Sequence, residues 1–138
     1  MQPTDVVPHF SKALTPSTVS CGDQIRLDVV VFGAPKPKLY WFNEKKKIRE
    51  SRHVRLVEKE TPVEDSNQVQ IESSLQIDTA HEFDSGKYTV RAINRSGVKS
   101  TSVNLVVKGD YCHYLNLLLA YLQAFDRHFS KPKAIVIH

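Results

Sequence analysis

Apolar and polar side chains alternate along most of the chain. Ile25, Leu27, Val29 and Val31 fall on one phase, with Arg26 and Asp28 between them. A period of two predicts a strand with one buried face. Pro35 and Pro37 break the pattern, because proline cannot donate within a central ladder. Residues 39–42 predict a second strand and residues 43–47 a polar turn. Residues 48–59 are weakly strand-like, with Val54 and Leu56 on one face, and residues 61–68 predict a loop. Val69, Ile71, Leu75 and Ile77 resume the alternation. Asp84, Ser85 and Gly86 predict a turn before Tyr88, Val90 and Ala92, and Asn94 to Gly97 a second turn before Val103, Leu105 and Val107. About seven short strands at this spacing, with no helical period among them, imply an all-β two-sheet sandwich.

The pattern changes after Gly109. Tyr111, Tyr114, Leu115, Leu118, Tyr121, Leu122, Phe125 and Phe129 recur at steps of three and four, which predicts an amphipathic helix over residues 111–129. Asp110 suits its start and Pro132 its end. The chain therefore divides into a sandwich over 6–108 and a C-terminal extension over 109–138.

Composition narrows the class. The 138 residues are 41% hydrophobic and 25% charged, an ordinary globular balance. That length supports one domain with a self-sufficient core. Two cysteines, Cys21 and Cys112, exclude a disulfide-rich scaffold. They are expected to be independent thiols. The net charge of +4 is too mild to imply nucleic acid. Residues 1–8 show neither a basic region nor an apolar core, so no secretory signal is expected. No apolar run reaches the roughly 18 residues of a membrane span.

One ordered set of residues is more specific than periodicity. Gly33, Pro35 and Pro37 precede Trp41, which lies twelve residues after Val29. Asp84-Ser85-Gly86-Lys87-Tyr88 forms a D-S-G-x-Y corner, and Ala92, Asn94 and Gly97 follow as A-x-N-x-x-G. This arrangement resembles the immunoglobulin superfamily, in particular its I-set type, over residues 6–108. The resemblance implies a Trp41 packed between the sheets and a Tyr88 hydroxyl bonded to the preceding turn. It implies a core containing Val29, Trp41, Leu75, Tyr88 and Val90. It also implies turn roles for Asp84, Gly86, Asn94 and Gly97. The family's two bridging cysteines would fall at positions 29 and 90, and both are valine here. A bridge there would contribute roughly 2–4 kcal/mol. Its absence suits a reducing compartment and the modules of titin, twitchin, obscurin and related muscle proteins. The function implied is a non-enzymatic structural or protein-interaction module in the cytoplasm. An extracellular adhesion or receptor domain is the alternative, and an accessory domain of a kinase-bearing muscle protein a second.

Candidate chemistry is sparse. No catalytic set, phosphate loop or zinc spacing is present, and no cofactor is expected. Asn94-Arg95-Ser96 fits a glycosylation sequon, although a turn role for Asn94 is the simpler reading. Lys36, Lys38, Lys45, Lys46, Lys47 and Arg49 concentrate positive charge. They form either a solvated loop or a patch for an acidic protein surface such as an actin filament. Nucleic acid has no recognised fold around the patch to support it. Leu118, Leu122 and Phe125 lie on the apolar face of the expected helix. That face packs on the sandwich, binds a partner or a second copy, or has no selected role. Filament proteins and neighbouring immunoglobulin or fibronectin modules are the expected partners.

Overall fold

The computed structural model describes residues 4–109 together with Leu118, Tyr121 and Leu122. Among these residues there are nine strands: β1 (Val6–Lys12), β2 (Ser17–Ser20), β3 (Ile25–Ala34), β4 (Lys38–Asn43), β5 (Lys46–Lys47), β6 (Val54–Pro62), β7 (Val69–Ile77), β8 (Gly86–Asn94) and β9 (Gly97–Lys108). They form one sheet in the order β1-β3-β7-β6 and a second in the order β2-β9-β8-β4-β5. All pairings are antiparallel except β2 with β9, which is parallel. The polar turn expected over 43–47 contains the two residues of β5. The strand expected over 48–59 starts later and runs on to Pro62, because its pairing with β7 continues to Val69.

Strand phase builds the core. Ile25, Leu27, Val29 and Val31 of β3, with Ile71, Leu75 and Ile77 of β7, are buried. Trp41 and Tyr88, Val90 and Ala92 bury from the other sheet, and Val103, Leu105 and Val107 complete it. Ser73 shares the inward phase of β7 and is only 4% exposed. Its hydroxyl accepts the Trp41 Nε1 hydrogen bond at 3.0 Å, so neither polar group is buried without a partner.

The loops close against this frame. Gly86 has φ 141, and a Cβ there would lie 2.7 Å from Asn43 Oδ1. The positive φ strains any residue with a Cβ, and a side chain there would also have to displace that of Asn43. At the far end of β2, Cys21 N–H donates to Lys108 O at 2.6 Å, and Ala80 N–H donates to Asp23 O at 2.8 Å. These bonds gather the chain's exit from β9 and the two neighbouring turns at one end of the sandwich.

One expectation is overturned. Cys21 is disulfide-bonded, and no described cysteine is free, which overturns its reading as an independent thiol. The parallel pairing of β2 with β9 sets Cys21 against Gly109, whose Cβ position would lie 3.2 Å from Cys21 Cβ. That nearness is invisible in a linear spacing. Cys112, the chain's other cysteine, lies outside the described residues. The helix expected over 111–129 also lies outside them, except that Leu118, Tyr121 and Leu122 have helical backbone. These three define no helical element, so the described architecture is all-β.

Leu75→Ala is expected to cost about 2–5 kcal/mol in denaturant unfolding, because it opens a cavity at a fully buried site. Val57→Ala, on the half-exposed edge strand β6, should change stability by less than about 0.5 kcal/mol. Thiol titration in denaturant should find no reactive thiol before reduction and two per chain after it.

Candidate protein-binding face

The corner between β7 and β8 is built around one carboxylate. Asp84 ends a single 3-10 turn (Glu82–Asp84) and is 4% exposed. Its Oδ2 accepts the His81 N–H at 2.8 Å. His53 Nε2 reaches the same carboxylate at 2.8 and 2.9 Å. The Tyr88 hydroxyl donates to the Asp84 carbonyl at 2.6 Å. Burial pushes the Tyr88 phenol up to about 12, with the Asp84 charge adding to the shift. His53 gave no sign in the sequence of its part here, since it lies 31 positions from Asp84. The rings of His53, His81 and Phe83 cluster above the corner, with centroids 4.9–5.5 Å apart.

The second turn uses Asn94 in full. Its Nδ2 donates to Val6 O at 2.8 Å and Pro35 O at 3.0 Å. Its Oδ1 accepts from Ser96 N at 2.8 Å and Gly97 N at 3.2 Å. A glycan on Nδ2 would remove one of those donors. Arg95 grips Asp5 through two bonds of 2.8 and 2.9 Å, tying the chain's start to the same hairpin.

The basic residues separate between the sheets. Lys36 pairs with Glu60 of β6, and Arg55 with Asp78 at 2.8 Å. Lys45 and Arg49 flank β5 and are exposed. Lys38, Lys46 and Lys47 belong to the five-stranded sheet. That sheet also contains Lys87, Arg91, Lys99 and Lys108, and its five strands carry no aspartate or glutamate. The four-stranded sheet is balanced: Lys12, Arg26, Arg55 and Lys59 against Asp28, Glu58, Glu60 and Glu72. Linear spacing missed Lys87 and Arg91 because they reach the patch through strand pairing. The signal that finds them is the count of charges per strand.

Tyr40 and Phe42 stand among these cations. They occupy the phase of β4 opposite to buried Trp41, so they lie on the outer face. Lys47 Nζ lies 4.7 Å from the Tyr40 ring centroid, and Arg91 Cζ lies 5.2 Å from that of Phe42. Of the helix residues expected to bind partners, Leu118 and Leu122 are partly buried, and Phe125 lies outside the described residues. No group of three or more potential metal ligands occurs among the described residues.

A comparison with protein-family models matches the immunoglobulin I-set domain over residues 8–107. The chain belongs to the immunoglobulin I-set family. This I-set domain is 34% identical over 106 residues to human coiled-coil domain-containing protein 141 (77% of this chain, 6% of that protein). It is 31% identical over 108 residues to mouse myopalladin (78% of this chain, 8% of that protein). The chain thus spans less than a tenth of either relative. Among solved structures it resembles the titin domains z1z2 in complex with telethonin. There the TM-score is 0.64 and the identity 29%, covering 77% of this chain and 49% of that one.

Tyr88→Phe removes the corner hydroxyl and is expected to cost about 1–3 kcal/mol, because the buried Asp84 carbonyl loses its donor. The phenol's folded value is raised above its unfolded value. Its contribution to stability is therefore complete below about pH 10 and lost as pH rises through about 12. Melting temperatures of the parent and the Tyr88→Phe variant should converge across that interval.

Proposed function

We propose that this I-set domain is a non-enzymatic structural and protein-interaction module of a cytoplasmic sarcomeric or cytoskeletal protein, binding actin or another filament protein through its basic face. The observation that carries this reading is the charge division between the sheets, with basic residues and no acid on one of them. An acidic filament surface is drawn to such a face by long-range attraction. The resemblance to myopalladin and to titin modules supports the sarcomeric class. Valines at positions 29 and 90, both buried, support a domain that needs no core bridge in a reducing compartment. In this reading the C-terminal extension, whose sequence pattern predicts an amphipathic helix over 111–129, is a second contact surface for the sandwich, a partner or another copy.

The disulfide at Cys21 favours a second reading, an extracellular adhesion or receptor domain. The two readings part at Asn94. In the cytoplasmic reading the native protein has no glycan there, and mass spectrometry finding one would move it outside the cell.

Replacing Lys45, Lys46 and Lys47 together by Glu is expected to reduce cosedimentation with actin filaments severalfold at low salt. Wild-type binding should itself weaken as salt rises. Unchanged pelleting of the variant at low salt removes the basic face from the mechanism. Truncation after Lys108 is expected to leave a cooperatively melting sandwich, since every strand among the described residues ends by that position; loss of cooperativity would make the extension part of the core.

A further inference from the structure

We propose that the outer surface of strands β4, β5 and β8 is a docking site for an acidic segment of a partner protein. This rests on the protein-interaction reading above and gives it a place and a chemistry. In the ladder, Tyr40 lies opposite Arg91 and Phe42 opposite Thr89 on β8, while Phe42 lies opposite Lys47 on β5. Two rings and two cations thus form one block across three strands. Each cation sits over a ring, and the attraction of the ring's electron-rich face holds it there. A carboxylate arriving at Lys47 or Arg91 meets a side chain already ordered, so less rotamer freedom is lost on binding. Aromatic and arginine side chains are also the usual anchors of protein interfaces. No ion pair among the described residues uses either cation.

Charge complementarity selects the occupant. The five strands of this sheet carry only positive charge. A second copy would bring the same cations face to face. The chain's own residues 110–138 hold Asp110 and Asp126 against Arg127, Lys131 and Lys133, so they offer no excess of carboxylate. A single-stranded nucleic acid stacks its bases on open aromatic faces. Here cations lie over the two rings, and stacking would have to displace them. An acidic peptide leaves each pair intact, with carboxylates on the cations and apolar side chains along the ring edges.

The test is a titration of the isotope-labelled full chain, followed by amide chemical shifts. Three probes are added: a Glu-rich peptide carrying two Phe residues, the same peptide with Gln for every Glu, and a ten-nucleotide oligothymidine. Shifts from the acidic peptide are expected on β4, β5 and β8, with little response to the Gln peptide. The double variant Arg91→Ala and Tyr40→Ala, its melting checked, should raise Kd about tenfold. Arg26→Ala, on the opposite sheet, should leave Kd unchanged. The proposal is overturned by no binding of the acidic peptide, by shifts confined to the opposite sheet or the hairpin tip, by an unaltered Kd in the double variant, or by tighter binding of oligothymidine. Actin cosedimentation separates this result from the filament reading. If the peptide maps to this surface and filaments do not bind, the surface stands and actin is the wrong partner. If filaments bind and the peptide maps elsewhere, the surface fails and the filament reading stands.

Discussion

Trp41 stands between the two sheets with its indole N–H bonded to Ser73, and the placing of the surface features follows from that contact. Its inward phase sends Tyr40 and Phe42 outward on the same strand. Its neighbours Val29 and Val90 are buried in the same cluster without a covalent link between them. The sheets are held together by apolar burial and close packing. A shift of β4 by one residue would turn its inner face outward and dissolve the cation-aromatic block.

Much of the fold was legible because the buried positions keep a strict period. The odd positions of β3 and β7, and the D-S-G-x-Y corner with its Tyr88 hydroxyl bond, needed no knowledge of pairing. The short strand β5 was not legible, because two exposed lysines carry no apolar phase and their strand character comes from Phe42 and Asn43 opposite. His53 was hidden for a similar reason. Its bond to Asp84 is made across the sandwich end, and nothing local marks it.

The candidate site was half legible. Lys38, Lys46 and Lys47 stood out as a basic run, but Lys36 left it for Glu60, and Arg91 joined from another strand. Charge grouped by sheet is a property of topology. A run of lysines in sequence shows where charge is dense along the chain, and only the order of the strands shows which face it covers.

The disulfide at Cys21 sits at the rim, beside the point where the chain leaves β9, rather than through the core. Covalent state and folding are thereby separated. Cys21 only packs against the edge of the core, and the cluster of Trp41, Val29 and Val90 holds no sulfur of its own. A change of redox environment therefore reaches the rim of the sandwich before it reaches the contacts that hold the two sheets together.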